Sequence, residues 1–441
     1  MIRSLLRSLL VLLLTGISLN SATLYCGPSS AGSGTGADFT NRMALPNTTG
    51  FTRGNVYVVI EGSYGSKTLQ TATSGTTTIT IRLANAAQDS GVAGYSSTLH
   101  DGQATFGTIT VKTRYWIVDG IRRTESNSWT APTGYGFRAD QIRASSIDGD
   151  DADFSQFRYI DLGSTYNESP SAGTIDNYGE SVYLVFNQSD ITFTRCALHN
   201  GTPTLVQGAG AQNLTFEHCD FGPGWGKEAI RGGNGSITSG WTIRYNRFYD
   251  STQTNPNDGS SGITAEIGMW GWDSGTATGI EIYGNWFSNS KSGGRNAVIV
   301  VGGDGGSWSG GGADGTVVYN NTFAGIDEGA VFSVVDLNGS STVARNNLFY
   351  DCVDTDISAS TVSDNDVTGA DPFQNYSTLD LRLSGATNPG FSLSSPYNSD
   401  PLGNTRGGDG TWDRGAFEFQ AGGGGAAIQT LNVTNLTITG P

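Results

Sequence analysis

A short pattern of apolar and polar positions recurs down the middle of the chain. In each copy an apolar strand ends at one polar residue, and a large apolar residue usually follows two positions later, as in TIRYNRF and IEIYGNWF. The spacing of the polar residues is irregular, which suits the coils of one solenoid with loops of unequal length better than a helical repeat. These polar residues are Cys196, Cys219, Asn246, Asn285, Asn321, Asn347 and Asn365.

Stacking of the copies predicts a polar ladder between two buried rows of side chains. Each Asn side chain would bond its neighbours in the coils above and below, at the strand spacing of about 4.8 Å. We expect Asp119 and Asp161, in WIVDGI and RYIDLG, to begin this ladder. A second set of strands, such as SVYLVF and EAIRGG, would form the next face of each coil. The two predicted buried rows are Ile243, Ile282, Val318 and Val343, and Phe248, Phe287, Phe323 and Phe349.

The two-strand rhythm, the NxF ladder and the closing segment from TLDLRLSG to DRGAFEF resemble the pectate-lyase-like superfamily. The resemblance covers roughly residues 23–420. It implies an all-β fold, a single-stranded right-handed parallel β-helix with an Asn ladder. It says little about function, because that superfamily includes lyases, hydrolases, isomerases, tailspikes and noncatalytic surface proteins.

The N-terminal segment has the features of a signal peptide. Arg3 and Arg7 precede the apolar run LLVLLLTGISL, and small residues follow at Ser21 and Ala22. We therefore expect residues 1–22 to be removed and the protein to be secreted and extracellular. No other apolar run approaches the length of a membrane span, so none is predicted.

The C-terminal tail, residues 421–441, combines a Gly-rich linker, AGGGGAA, with a β-strand segment, IQTLNVTNLTITGP. Apolar residues alternate in this segment at Leu431 and Val433, and again at Leu436 and Ile438. Such a strand would be an aggregation hazard if left in water. It is expected either to fold back as a cap over the last coil or to pair with a neighbouring molecule and build an assembly.

Composition and charge narrow the class of partner. The 441 residues include 64 Gly and only 12 Pro, and the formal net charge is −16 with only 24 Lys and Arg. This charge argues against a nucleic acid partner, and a polyanionic substrate would require a local basic patch. Cys196 and Cys219 occupy neighbouring coils, and we expect stacked buried thiols in preference to a disulfide.

Tryptophan is concentrated in one part of the chain. Six of the nine Trp residues lie between residues 225 and 308, where the repeat spacings are also longest. Indole faces bind sugar rings through apolar contact, so a polysaccharide is the expected partner. Trp241 and Trp286 are expected to be packing residues beside the ladder. The candidate substrate-binding residues are Trp225, Trp270, Trp272 and Arg295.

The candidate catalytic residues lie in the same region. GKEAIRGG, WTIRYNRF and TAEIGMW are similar in layout to the alginate and chondroitin lyases of this superfamily. That resemblance implies a possible Ca²⁺ cofactor with Glu228 as a ligand, and Asp304 is the second candidate metal ligand. It implies a basic catalytic residue at Arg231, and Lys227 is a further candidate catalytic residue. Where the lyase layout has an Arg-His pair one coil later, this chain has Glu266.

A hydrolase is the other catalytic hypothesis. Glu228, Glu266 and Asp304 fall on successive coils and would supply the facing carboxylates that glycoside hydrolysis requires. The tandem Asp pair and the His-Gly signature of polygalacturonase-like members are missing. The simpler interpretation is that these acids are solvated and that Lys227 and Arg231 form surface salt bridges.

Three functional hypotheses remain open from the sequence. The first is an extracellular carbohydrate-engaging β-helix protein that acts as a polysaccharide lyase or a glycoside hydrolase. The second is a noncatalytic structural or adhesive protein that assembles through its C-terminal strand. The third is a tailspike-like protein, which the signal peptide disfavours.

Overall fold

The computed structural model describes residues 21–120, 135–163, 180–199, 204–222, 228–233, 237–249, 265–270, 276–290, 297–302, 312–326 and 333–420. Most of the predicted signal peptide and the whole C-terminal tail lie outside these ranges. Within the ranges, no helix is long and apolar enough to cross a membrane.

The first stack of strands, called sheet A, consists of thirteen parallel strands, one from nearly every coil. Its strands are short and β-branched or aromatic at every second position, as expected for a half-buried parallel strand. They are β1 (Thr23–Gly27), β2 (Met43–Ala44), β3 (Val56–Val59), β5 (Ile79–Leu83), β7 (Trp116–Asp119), β9 (Gln156–Arg158), β12 (Thr192–Thr194), β15 (Thr215–Glu217), β19 (Thr242–Arg244), β23 (Glu281–Tyr283), β26 (Val317–Tyr319), β29 (Val343–Arg345) and β32 (Thr361–Ser363).

The second stack, called face B, follows sheet A in each coil after a sharp turn at the ladder position. Its strands pair in parallel from coil to coil. They are β10 (Ile160–Gly163), β13 (Ala197–His199), β16 (Asp220–Phe221), β20 (Arg247–Tyr249), β24 (Trp286–Ser290), β27 (Thr322–Ile326), β30 (Leu348–Tyr350) and β33 (Asp366–Thr368).

The third stack, called face C, completes each coil and is also parallel. Its strands are β11 (Val182–Val185), β14 (Thr204–Gln207), β17 (Glu228–Gly233), β21 (Ala265–Trp270), β25 (Ile299–Val301), β28 (Val335–Leu337) and β31 (Ile357–Ser358). In the first coils one long strand bends through both faces, and these strands are β4 (Gly62–Leu69), β6 (Ala104–Val111) and β8 (Phe137–Ser145).

A few elements lie outside the three stacks. The strands β18 (Thr238–Ser239) and β22 (Ala277–Thr278) form a small parallel pair, and β34 (Phe373–Asn375) and β35 (Asp380–Leu383) form an antiparallel hairpin. One helical turn, α1 (Ala86–Asp89), is capped by the Asn85 side chain. Short 3₁₀ turns span Ser97–Leu99, Ser146–Asp148 and Tyr376–Thr378. The architecture is therefore the right-handed parallel β-helix expected from the sequence.

The core consists of rows of side chains that stack along the helix axis. In face B the rings of Phe221, Phe248, Phe287, Phe323 and Phe349 stack with centroids 4.6–4.9 Å apart. This spacing equals that of the strands, so each ring contacts the next one over its whole face. The inward row of sheet A is Phe157, Phe193, Phe216, Ile243, Ile282, Val318, Ala344 and Val362.

The Asn ladder is present at the turn between sheet A and face B. The Oδ1 atom of Asn285 accepts hydrogen bonds from the backbone N–H and the Nδ2 of Asn246, at 2.9 and 3.0 Å. The same geometry links Asn285 to Asn321, Asn321 to Asn347 and Asn347 to Asn365. Each buried amide is therefore bonded, as burial of polar groups requires.

Two predictions from the sequence are wrong: the place of Val343 in the inward row, and the places of Asp119 and Asp161 in the ladder. Val343 is not part of the inward row, because Val318 pairs with Ala344 and Val343 pairs with Val317. Asp119 lies in sheet A beside Arg158. Asp161 lies in face B beside Arg138, one residue after the ladder position, which Ile160 occupies instead. Neither aspartate belongs to the ladder.

The four cysteines are free thiols. Cys196 and Cys219 occupy ladder positions, and the Cys219 sulfur accepts a hydrogen bond from the Cys196 backbone N–H at 3.4 Å. Both side chains are buried. The preference for stacked thiols over a disulfide is confirmed.

Residues 386–420, named the C-terminal strap, run back over the outside of the late coils. The Trp412 indole donates to Asn320 Oδ1 at 3.3 Å, and Ala416 N–H donates to Thr322 Oγ1 at 2.8 Å. The Phe417 ring packs on Trp286, with centroids 5.1 Å apart. The strap and the hairpin of β34 and β35 bury the outer side of face B there.

Candidate functional site

Several of the chain's longer insertions lie at the corner between face B and face C. In the first coils β4, β6 and β8 run unbroken from face B to face C. In later coils the two faces are joined by segments of very different length, such as residues 164–181, 200–203 and 250–264. We call this edge the B–C corner, and the side chains beside it form the candidate site.

A histidine and an aspartate form a close pair on face B at this corner. The His199 Nε2 lies 2.5 Å from Asp161 Oδ1, and both side chains are about one-fifth exposed, at 22% and 20%. The register sets His199 beside Gly163. A Cβ at Gly163 would lie 2.4 Å from the imidazole, so only glycine leaves room for the ring in this position.

A second network lies one coil further along face B. The Tyr135 hydroxyl donates to Asp220 Oδ2 at 2.8 Å, and the Arg247 Nε donates to Asp220 Oδ1 at 2.8 Å. The Arg247 guanidinium lies 4.2 Å from the centre of the Tyr249 ring. Burial, together with the nearby Asp220 carboxylate, raises the pKa of Tyr135 well above its usual value. The phenol therefore stays protonated and acts as a fixed hydrogen-bond donor.

The strap covers only part of the outer side of face B. In the register, Arg138, Asp161, Asp220 and Arg247 occupy the same outward row as Trp286 and Leu348. The last two are buried beneath the strap. The row therefore carries mostly charged side chains in its early coils, although Arg247 is only 7% exposed, and mostly apolar side chains beneath the strap.

On the other side of the corner, face C presents an outward row of polar and aromatic side chains. In adjacent coils the register aligns Arg143, Tyr183, Gln207 and Arg231. The Arg143 guanidinium lies 5.0 Å from the centre of the Tyr183 ring. Arg231, predicted from the sequence, therefore points outward between Gln207 and Gly268.

Buried glutamates line the start of the face C strands. Glu180, Glu228 and Glu266 are only 2%, 3% and 1% exposed. They are therefore not solvated surface acids. The register sets Glu228 beside Ala265, which places Glu266 beside Ala229. Glu228 and Glu266 thus lie in neighbouring rows and do not form the single row that the hydrolase hypothesis assumed.

The predicted tryptophans and charged site residues lie partly inside and partly outside the described ranges. Trp270 ends β21 beside Gly233, and nothing is described of its side chain. Trp241 and Trp286 are buried packing residues, as expected. The residues that lie outside the described ranges are Trp225, Lys227, Trp272, Arg295 and Asp304.

The described residues do not form a calcium site. Nowhere in these ranges do three or more His, Cys, Asp or Glu side chains come together in a way that would hold a metal ion. Glu228 has Thr204 and Ala265 as its neighbours in the register, and neither is a carboxylate. Since the donor set that calcium prefers is not assembled here, no chemical step is assigned to it.

The sequence pattern alone does not predict the His199 and Asp161 pair. Asp161 was assigned to the ladder, although RYIDLG and TRCALHN align through Tyr159 and Arg195, which share a left-handed backbone conformation. That alignment sets His199 level with Gly163, and strand alternation then points Asp161 and His199 outward together. The glycine opposite the histidine was the available signal.

Comparison with known proteins gives similarity of shape only. No protein-family model matches the sequence, and no curated protein matches it significantly. Pectate lyase Pel9A is similar with 17% identity over 92% of this chain and 98% of that one, at a TM-score of 0.49. The GH136 lacto-N-biosidase from Eubacterium ramulus is similar with 11% identity over 78% and 67%, at 0.36. The Agl-KA catalytic domain is similar with 12% identity over 71% and 62%, at 0.21. At identities this low, none of these likenesses carries a statement about chemistry in this chain.

Proposed function

We propose that this chain is a secreted protein that binds an acidic polysaccharide along the B–C corner and cleaves it by β-elimination. The observation that carries the proposal is the His199 and Asp161 pair, which is partly exposed in the part of face B that the strap does not cover. The insertions and the outward row of face C lie beside it.

The shape of the corner favours a linear polymer. Parallel strands repeat every 4.8 Å or so, which lays side chains out in straight rows along the solenoid. Arg231 and Arg143, the latter ion-paired with Asp148 at 2.9 Å, place guanidinium groups on a strongly acidic protein, which supports a carboxylated sugar chain. Tyr183 and Tyr249 supply aromatic surface of the kind that packs on sugar rings.

The His199 and Asp161 pair has the geometry of a proton-transfer group. In the neutral tautomer that donates Nε2–H to Asp161, Nδ1 is the nitrogen that accepts a proton. His199 would remove the proton beside the sugar carboxylate, and the electron pair of that C–H bond would form the double bond. The bond to the glycosidic oxygen would break at the same time, and that oxygen would take a proton from water. Elimination needs one such base, whereas hydrolysis needs two carboxyl groups. Arg231 would neutralise the sugar carboxylate. Lys227 and Glu266 are retained as further candidate catalytic residues.

The test is a panel of acidic and neutral polysaccharides, assayed for unsaturated products and separately for new reducing ends. We expect unsaturated products from an acidic member, and His199→Gln should reduce their rate by about 10²–10⁴-fold. Asp161→Asn should also reduce the rate, because the imidazole loses its orienting acceptor. The matched control is His218→Gln, at the other corner of the solenoid, which should retain activity. Full activity in His199→Gln, or no product from any polysaccharide, would contradict the proposed function.

A further inference from the structure

The two ends of the described solenoid differ in how their cores are closed. At the first end Leu45 and Phe51 are buried, and the Phe51 ring contacts the edges of Tyr57 and Trp116, at centroid distances of 5.0 and 5.2 Å. Residues before the first full coil therefore cover that end of the core. A second copy cannot stack directly on the first core rows there.

At the other end the core rows finish in exposed apolar side chains. Val362 and Val367 are 47% and 62% exposed, whereas Ala344 and Phe349, one coil earlier in the same rows, are 0% and 1% exposed. The strands β31, β32 and β33 pair with the preceding coil, and no described strand pairs with their other edges. Unpaired edges beside apolar side chains invite the addition of another strand.

The sequence of the tail matches the last coil position by position. Residues 361–369 read TVSDNDVTG, and residues 432–440 read NVTNLTITG. In this alignment Val433 corresponds to Val362 and Ile438 to Val367. Asn435 corresponds to Asp364, whose φ of 55° is left-handed and is tolerated best by Gly, Asn and Asp. We propose that residues 432–440 form one more half-coil on the open end of the same molecule, with Val433 on Val362 and Ile438 on Val367.

The one mismatch is at the ladder position. Leu436 takes the place held by Asn365 in the preceding coil. The ladder of Asn side chains would therefore end at Asn365 in this half-coil, because Leu has no oxygen to accept from the preceding coil. The outward positions are polar, with Thr434 level with Ser363 and Thr437 level with Asp366.

The position of the strap favours pairing within one chain. The Arg414 Nη1 donates to the Asn365 carbonyl at 3.0 Å, so the strap contacts the last coil shortly before Gln420. The Phe419 N–H donates to Asp413 Oδ2 at 2.8 Å, which holds the end of the strap beside the residue that precedes Arg414. About eleven residues then separate Gln420 from Asn432, with a reach of about 17–20 Å for a flexible Gly-rich segment. A short linker keeps the effective concentration of the tail in the millimolar range, above that of a second copy.

The experiment uses the full chain with Val433→Asp or Ile438→Asp, and a truncation after Gln420. Melting is followed by circular dichroism, and mass by light scattering. We expect all three variants to melt at least about 2–4 °C lower, with no change in mass. The matched controls Thr434→Asp and Thr437→Asp place the same charge at outward positions and should melt like the parent. The proposal is wrong if the apolar variants behave like these controls. It is also wrong if the parent is an oligomer that Val433→Asp dissociates, because the tail then pairs with a second copy.

Discussion

At the scale of single residues, the ladder shows how one side chain connects three coils. The Asn321 Nδ2 donates to the Ile282 carbonyl at 3.0 Å and to Asn347 Oδ1 at 3.1 Å. Its Oδ1 accepts from the N–H and the Nδ2 of Asn285, both at 3.0 Å. The site is fully buried, so these groups have no access to water.

Replacing Asn321 by Leu should therefore lower the free energy of unfolding by roughly 1–3 kcal/mol, because buried donors and an acceptor lose their partners. The measurement is urea denaturation followed by circular dichroism. Val317→Thr, at an outward position in the neighbouring strand, is the control and should change little. An unchanged midpoint in Asn321→Leu would show that the ladder contributes nothing to stability.

The His218 side chain provides a prediction on protonation. Burial lowers the pKa of His218 to about 4, and the neighbouring Arg195 and Arg244 add to this effect while Glu217 opposes it. The folded pKa lies below the usual 6.5, so His218 contributes stability above pH 6.5 that is lost as the pH falls through about 4. Titration of the imidazole by NMR should give a midpoint well below 6.5, and a normal midpoint would contradict this packing.

At the scale of elements, the strap is held by a buried charge cluster. The Arg406 guanidinium lies 3.9 Å from Glu418, and both side chains are fully buried. Glu418 accepts hydrogen bonds from the N–H groups of Gly407 and Asp413. Burial raises the pKa of Glu418 to about 7, and burial also raises the pKa of Asp400 and Asp413. More than one carboxyl group therefore surrounds a single buried cation.

The stability of the strap should fall as the pH rises. Because the folded pKa of Glu418 exceeds its usual 4.5, its contribution is fully present below pH 4.5 and is lost as the pH rises through about 7. In Glu418→Gln this decline should be smaller. Limited proteolysis of the strap at several pH values measures this decline. The control is Glu61→Gln, in the first coils, where the carboxylate accepts from the Gly102 N–H and does not contact the strap. Equal pH dependence in the parent and Glu418→Gln would rule out this role of Glu418.

The parts of the fold that repeat were predictable, and those that do not repeat were not. The ladder and the Phe row follow from spacing alone, because every coil places the same side chain at the same height. The Val343 prediction failed because strand TVAR offers Val and Ala side by side, and composition favours the larger residue for the core. The strap joins residues far apart in sequence, such as Trp412 and Asn320, without any period.

At the scale of the whole molecule, the covered surfaces limit where the proposed partner could bind. The strap covers the late part of face B, and the residues around Leu45 and Phe51 cover the first end. Among the described residues, the early part of the B–C corner carries mostly polar side chains. Arg143 and Arg231 lie along that corner in face C, while Arg158 and Arg345 lie in the outward row of sheet A. The two pairs carry equal charge on different faces.

The central claim is that an acidic polysaccharide binds along the B–C corner. Its most direct test is retention of the folded protein on the immobilised polysaccharide that the parent binds best, at fixed salt. The double variant Arg143→Gln with Arg231→Gln should bind at least about tenfold more weakly, since about 1.4 kcal/mol corresponds to a tenfold change. The charge-matched variant Arg158→Gln with Arg345→Gln should bind like the parent. Equal weakening of both variants, or no weakening of the first, would contradict the claim.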